Sequence, residues 1–380
     1  TKRIDLNYSH ITIAGESMMG TVLTIDDNAN CGCFFIDEIK VNLFRFAIDG
    51  NKISQIEEHP LIWASGGGGE DLHATDLYVY NGKGRGIVTE GNHDIYKGVY
   101  VESCEKEDWD IRGDDTSLFG CYSHGGQSTN FDVRGDRARL IGCRAYGTKS
   151  GTGYYIHSEN GTLMSGCISW QIGGEGLYID DCNNVEVTGF TADSAGKEGI
   201  KIRNSYDVNI HAIVTQSNFS GVYIFNSSRI MFDIIARNSR YEGAGIYDEM
   251  KIYNSSCIIG KLIASSTASQ DDYGLNLVGT IDSITITGDI SGAYAGPIRA
   301  ITGTNLHFPN LIGFVTENSG NNIGTAGEQT IAHGLAGTPT LVLLSPPTTN
   351  AHESSAADAT NIYITADNGE DYYWYVEYQP

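Results

Sequence analysis

Basic residues are scarce in this chain. Lys and Arg number 24 against 47 Asp and Glu, a formal charge of −23 over 380 residues. A surface of that sign argues against nucleic acid or an anionic membrane as partner. A local Arg cluster can still override the global field, so acidic substrates stay open. No apolar run approaches the ~18 residues of a membrane span, and no membrane insertion is expected. Thr1-Lys2-Arg3 lacks a charged-then-apolar signal segment, and an alternating strand follows at Ser9 to Gly15, so a processed or trimmed start is the expectation. Helix signals are nearly missing. Zinc-ligand spacing is missing apart from Cys31-Gly32-Cys33, which reads as core, and no Asp cluster has calcium-loop spacing. No metal and no cofactor is expected.

What the chain has instead is a repeat. Gly153-Tyr154-Tyr155-Ile156, Gly176-Leu177-Tyr178-Ile179, Gly199-Ile200-Lys201-Ile202 and Gly221-Val222-Tyr223-Ile224 start 23, 23 and 22 residues apart (176 − 153, 199 − 176, 221 − 199). Short strands at such a period, with no helical pattern between them, predict a solenoid. Coil starts extend to Leu61, Gly86, Trp109 and Asn130 upstream and to Gly245 and Gly274 downstream, with an insertion around Ser265 to Asp272. Each coil carries three short strands, Val and Ile inward and Asn, Asp or Gly at the corners, which is the pattern of a parallel β-helix. The eight cysteines then lose their look of a disulfide framework. Cys121, Cys143 and Cys167 each follow a glycine, and Val99 and Phe190 continue their column. The set reads as an inward stack of reduced thiols acting as small hydrophobes.

The G-x-x-I segments, the Asn/Asp-rich corners and the period near 23 resemble the pectin-lyase-like superfamily, its phage tailspike and tail-fibre members above all. Over roughly residues 1–320 the resemblance implies an all-β, right-handed, single-stranded parallel β-helix. It implies less about activity, because the superfamily hosts lyases, hydrolases, epimerases and inert binding stalks. Past Gly320 the pattern stops. Asn318 to Asn322 reads as a linker, and strands are expected at Leu341 to Leu344, Asn361 to Thr365 and Tyr372 to Val376. With the wording Ile331-Ala332-His333-Gly334-Leu335, residues 321–380 are similar to the small C-terminal β-domains of viral tail proteins. They read as a β-sandwich-like domain that caps the open end of the solenoid or joins a trimer.

Stacking turns columns into surfaces. In the first strand of each coil the residues flanking the Ile face out. They are Asp110/Arg112, Asp132/Arg134, Tyr155/His157, Tyr178/Asp180, Lys201/Arg203 and Tyr223/Phe225. Aromatics for sugar rings, carboxylates for hydroxyls or proton transfer, and cations for uronate or sialate groups suit a polysaccharide groove. The other two strands expose Phe119, Ile141, Leu163 and Met231, and Tyr100, Tyr122, Ile168 and Val214. Such an apolar stripe marks an interface. By the tailspike resemblance it packs a homotrimer; the alternative is that corner loops of the same chain cover it.

Glycoside hydrolysis needs two carboxyls. The catalytic expectation is Asp180 with Asp132 or Glu175 as acid and base, two coils separating the aspartates and His157 lying between them. Glu198 shares the pre-glycine position of Glu175 one coil on. Arg134, Tyr155, Tyr178, Lys201, Arg203, Tyr223 and Phe225 are the substrate-binding candidates. The competing readings are an ion-pair ladder at Asp110/Arg112 and Asp132/Arg134, and a turn-stabilising role for Asp180. A β-elimination lyase would draw instead on His157, Tyr155, Tyr178, Lys201 and Arg203. Arg112-Gly113-Asp114 and Arg134-Gly135-Asp136 read as repeat turns, Gly66 to Gly69 as a flexible corner, and His93, His124 and His211 as solvated. Three functions follow: a trimeric tailspike or receptor-binding protein of an extracellular virion tail that binds and depolymerises a cell-surface polysaccharide, hydrolysis ranked above elimination; a secreted lyase or hydrolase acting alone; or a non-catalytic carbohydrate-binding fibre.

Overall fold

Alternating apolar residues interrupted by glycine and asparagine corners suit short extended segments, and strands dominate, with a single-turn 3-10 helix at Lys52–Ser54. The computed structural model describes residues 3–66, 70–157, 159–239, 248–266, 273–293, 296–298, 303–309, 311–313, 317–323, 328–332, 335, 338–345, 352–355, 357–365 and 371–378. Among them, thirteen strands form one parallel sheet, running from Ile4–Leu6 through Trp109–Ile111, Phe131–Val133, Tyr154–His157, Leu177–Asp180, Ile200–Arg203 and Val222–Phe225 to Gly296–Ile298. A second, nineteen-stranded sheet holds the other two strands of each coil, which fuse into one bent strand at Asn183–Asp193, Tyr206–Thr215 and Ser228–Arg237. Every pairing in both sheets is between neighbouring coils, and the winding is that of a right-handed parallel β-helix.

The register sets the interior. Trp109, Phe131, Tyr154, Leu177, Ile200 and Val222 form one buried column, and Ile111, Val133, Ile156, Ile179, Ile202 and Ile224 the next. Each fully buried aliphatic contributes about 1.5–3 kcal/mol. The rings of the first column stack, Phe131 on Tyr154 at 4.9 Å and 5°. The glycine that opens each repeat is a matter of space. A Cβ on Gly176 would stand 2.6 Å from the Gly199 carbonyl oxygen and 2.9 Å from the Ala192 Cβ.

The cysteines are free thiols, six of them buried, Cys31 half-buried and Cys257 exposed. The Cys143 Sγ lies 3.5 Å from the Leu118 carbonyl and the Cys167 Sγ 3.2 Å from that of Leu140, so the stack satisfies its S–H groups on the coil below. Burial pushes Cys33 and Cys182 up to about 12, which keeps them protonated.

Three sequence expectations change. Val214 is buried, and its neighbour Ile213 is the exposed residue. Strand Tyr206–Thr215 lacks the extra residue that Gly189 supplies one coil earlier: Thr188 pairs with His211 and Phe190 with Ala212, so its alternation runs on unbroken and brings Val214 inward. Downstream, Val222 pairs with Met250 and Met250 with Leu275, steps of 28 and 25 residues (250 − 222, 275 − 250). The coil after Gly221 is therefore the longer one; Gly245 and most of the Ser265 to Asp272 insertion lie outside the described residues. Finally, Asn318 to Asn322 is no linker: it lies within strand Glu317–Ile323, paired antiparallel with Asp371–Glu377. Leu341–Ser345 completes that sheet, and Glu328–Ala332, Asn361–Thr365 and His352–Ser355 form a second. Ile331, Ile362, Ile364, Tyr372, Trp374 and Val376 make a separate small core from both. His333 and Gly334 lie outside the described residues.

Three carboxyls are buried near the corners. Asp94 accepts from the Thr89 hydroxyl, Asp108 from Ser123 Oγ at 2.5 Å and Glu159 from Thr162 Oγ1 at 2.9 Å. Burial outweighs these bonds, raising Asp94 to about 8, Asp108 to about 7 and Glu159 to about 8.

Two predictions follow from the interior. Native protein will expose Cys257 to a thiol reagent first and Cys31 more slowly, and the other six only on unfolding; early labelling of Cys143 would contradict the stack. The raised carboxyls keep protons that the unfolded chain loses from about pH 4 upward. Their contribution to stability is therefore fully present below that pH and falls as pH rises towards 7–8. Asp108→Asn should flatten the decline in urea midpoint between about pH 5 and 8, whereas an unchanged slope would exclude Asp108 as its source.

Candidate functional site

Outward positions of the thirteen-stranded sheet form two columns two residues apart. One runs Asp110, Asp132, Tyr155, Tyr178, Lys201, Tyr223. The other holds His157, Asp180, Arg203 and Phe225, with Tyr253 next. The expected outward pairs are all there, but Asp132 and Asp180 stand in different columns. Their backbones are two strands (~9.6 Å) and two residues (~6.6 Å) apart, farther than a coil count alone suggests.

Side chains join the two columns. Asp132 Oδ1 meets His157 Nε2 at 2.8 Å, and its Oδ2 accepts from Arg134 at 2.5 Å. Burial by itself would raise Asp132, but the His157 and Arg134 hydrogen bonds and charges outweigh it and hold the carboxyl below its usual range. Tyr155 lies flat on His157 at 4.2 Å and on Tyr178 at 4.9 Å, and its hydroxyl donates to Asp180 at 3.3 Å. Burial, then the Asp180 charge, lift Tyr155 to about 12, so it holds its proton. Arg203 clasps Asp180 with two nitrogens, Nε at 2.6 Å, and lies over Tyr178 at 5.5 Å. Lys201 covers the same ring at 4.9 Å. Asp132, His157, Tyr155, Tyr178, Asp180, Arg134, Arg203 and Lys201 thus form one connected cluster. Tyr223 and Phe225 adjoin it by register, with Phe225 stacked on Tyr253 at 5.4 Å.

Glu175 stands at the edge of this cluster. Lys197 and Lys201 approach it at 3.3 and 3.6 Å, and Thr152 donates to it at 3.1 Å. Burial pushes Glu175 up, but its own backbone amide and the two lysines bring it below its usual range. Glu198, one coil on, has a buried Oε2 with no hydrogen-bond partner among the described residues, and burial raises it. These equivalent carboxyls are driven apart by unequal shares of the same lysines.

Upstream the ion-pair ladder is present. Arg112 bridges Asp110 and Glu90, and Arg134 reaches Asp110 at 3.8 Å. The two Arg-Gly-Asp triplets are repeat turns: Asp114 and Asp136 accept the backbone N–H groups of Asp136 and Asn160 at 2.9 and 2.8 Å. His93 and His211 are exposed, as expected. His124 is not solvated alone. It stacks on Tyr146 at 4.7 Å and meets Glu102 at 3.2 Å, inside an aromatic series that also contains Tyr78, Tyr100, Tyr122 and Trp170. Tyr at 78, 100 and 122, a constant step of 22, is the sequence sign of that series, and of its members only Tyr100 and Tyr122 fall in the apolar stripe expected from sequence.

Arg203→Ala leaves the Asp180 carboxylate nearly buried beside Tyr155 without its cation. Removing one partner of such a pair should cost about 1–3 kcal/mol in denaturant unfolding. A loss below about 0.5 kcal/mol, the range of ordinary surface substitutions, would mean that Asp180 finds water instead.

Residues 86–240 match a family model described as a right handed beta helix region. No curated protein matches the sequence. Among solved structures, the A-module of the Azotobacter vinelandii mannuronan C-5 epimerase AlgE6 is similar at 13% identity, over 82% of this chain and 87% of that one, with a TM-score of 0.59. The AlgE4 A-module from the same organism is similar at 12%, over 81% and 87%, with a TM-score of 0.50. Tailspike protein 2 of an Escherichia coli O157:H7 bacteriophage gives 12% over 92% of this chain and 58% of that one, with a TM-score of 0.44. At these identities the likeness is one of fold, and the chain is a right-handed parallel β-helix protein.

Proposed function

We propose that the protein binds an anionic polysaccharide along the outward face of the thirteen-stranded sheet and transfers protons on it at the His157 cluster. The observation that carries this reading is the joined array Asp132–His157–Tyr155–Asp180, flanked by Arg134, Lys201 and Arg203. A chain of sugar carboxylates laid along the face meets three cations within four coils. Asp132 orients His157. In this reading His157 is the base next to a uronate carboxyl, and protonated Tyr155 is the acid. In a β-elimination His157 takes the C5 proton, the C4–O4 bond breaks and Tyr155 protonates O4, leaving a C4–C5 double bond. The two modules that share this fold are named mannuronan C-5 epimerases, and C5 is the position at which His157 acts in this reading.

The arrangement speaks less for the carboxylate pair expected from sequence. Asp132 and Glu175 are held below the usual carboxylate range and Asp180 is clasped by Arg203, so each of the three is already engaged with a cation. One observation favours a second reading, hydrolysis. Glu175 and Glu198 stand one coil apart, ~4.8 Å between backbones, in environments that push one down and the other up.

We place this activity in a homotrimeric tailspike or receptor-binding fibre outside the cell. Exposed Ile141, Met231 and Ile259 on the second-strand face support a subunit interface, and the antiparallel sheets after residue 316 support a terminal cap or trimerisation module.

Incubation with a panel of acidic and neutral bacterial polysaccharides separates the readings. Elimination predicts near-ultraviolet absorbance from unsaturated ends, lost at least a hundredfold in His157→Ala and Tyr155→Phe and retained in Glu198→Gln. Hydrolysis predicts new reducing ends without that absorbance and the reverse pattern of variants. Binding with neither product makes the protein an inert fibre. A monomer by light scattering at micromolar concentration rejects the trimer.

A further inference from the structure

The tyrosines of the site sheet cover one another's faces, so they offer edges and hydroxyls. One aromatic residue elsewhere is placed differently. On the third strand of successive coils, Tyr100 stacks on Tyr122 at 4.3 Å, His124 on Tyr146 at 4.7 Å, and Tyr146 meets Trp170 at 5.0 Å and 37°. The series ends there. Trp170 pairs in register with Asp193, which has no ring, and 47% of Trp170 is exposed. It is a ring backed on one side by Tyr146 and His124 of the two preceding coils and open on the other.

A shallow cleft begins at the next residue along the chain, and the Trp170 ring stands outside its lining. Gln171, which follows Trp170 at the corner, lines it together with Ser194, Gln216 and Asn218, over a floor that includes Gly173 and Gly196. Gln171, Ser194 and Gln216 all have left-handed backbones (φ 53, 58 and 55), and each N–H is spent on the next coil's carbonyl. Their side chains are thereby left to the cleft. Among the described residues the Gln171 and Asn218 amides have no protein partner, while Gln216 accepts from Ser194 Oγ at 3.1 Å. Asp193 accepts from Thr215 Oγ1 at 2.8 Å and from Ser194 Oγ at 3.2 Å. The glycines are needed for the floor: a Cβ on either would run into backbone of the coil below.

We propose that Trp170 and this cleft form a second saccharide-binding site, one that takes a neutral pyranose. An apolar ring face accepts the C–H side of a sugar, and amides and hydroxyls at its margin exchange hydrogen bonds with the sugar hydroxyls. No lining side chain carries charge, and Asp193 beside the ring repels an anion. The selectivity is therefore opposite to that of the cationic stripe on the site sheet. The stacked rings beneath Trp170 hold it before any ligand arrives, so binding forfeits little side-chain entropy.

Calorimetric titration of the full chain with maltotriose, chitotriose and β-1,4-galactotriose, and with trigalacturonate as the anionic contrast, tests this. At least one neutral trisaccharide should bind and quench tryptophan fluorescence. Trp170→Ala should weaken it by roughly tenfold or more, Asn218→Ala by a few-fold, and Trp170→Phe least. His157→Ala, which tests the charged stripe, should leave this binding unchanged. The proposal fails if no neutral probe binds up to about 10 mM, if Trp170→Ala binds as well as the parent, or if Trp170→Ala reduces the mass of the assembly in light scattering, which would make the ring a subunit contact.

Discussion

Everything in this molecule hangs on one constraint, the hydrogen-bonded registration of each coil on the one below at ~4.8 Å. The constraint is cheap to satisfy because parallel strands bond continuously along the axis, and it leaves each residue with fixed neighbours above and below. A residue type that stacks well on itself is then rewarded repeatedly. Isoleucine does so in the interior, as do flat rings and a cysteine whose S–H finds the preceding coil's carbonyl. Where two strands and a corner crowd together only glycine fits, so the repeat is announced by G-x-x-I.

The same spacing governs the electrostatics. Like charges one coil apart would repel at close range, so a carboxylate on such a ladder is stable only with a cation in an adjoining position. Asp110, Asp132, Glu175 and Asp180 each have one. The ladder that makes the face attractive to an anionic polymer also holds Asp132 and Glu175 below the usual carboxylate range. Glu198 receives less of the lysines than Glu175 does, and it alone of the pair is raised.

Stacking also sorts the aromatics into two kinds. Rings inside a series, such as Tyr155 and Tyr178, have faces occupied by a neighbour or a cation and present hydroxyl edges. A ring at the end of a series, such as Trp170, keeps one face. Edges suit hydrogen bonding to polar or charged groups, and open faces suit apolar sugar surfaces, so one fold offers two chemistries from the same residue types.

The period, the inward columns and the outward pairs were all legible in the sequence, because a strand alternates strictly and a coil of 22 or 23 residues repeats that alternation in phase. Asp132, Tyr155, His157, Tyr178, Asp180, Lys201 and Arg203 were found this way. Legibility ended wherever phase changed. The coil of Val214 drops the extra residue that Gly189 supplies one coil earlier, which turns Val214 inward, and the long coil before Met250 displaces the expected start at Gly245. It ended also where direction mattered: the columns name which side chains share a face, but only three-dimensional placement tells that Asp180 is clasped by Arg203, that Tyr155 gives its face to His157, and that His124 belongs to a ring stack. The sequence by itself determined the solenoid and the membership of its faces, since both follow from periodicity. Tertiary structure decided which members of a face pair and which remain free, since that depends on side-chain reach across coils, and periodicity carries no information about reach.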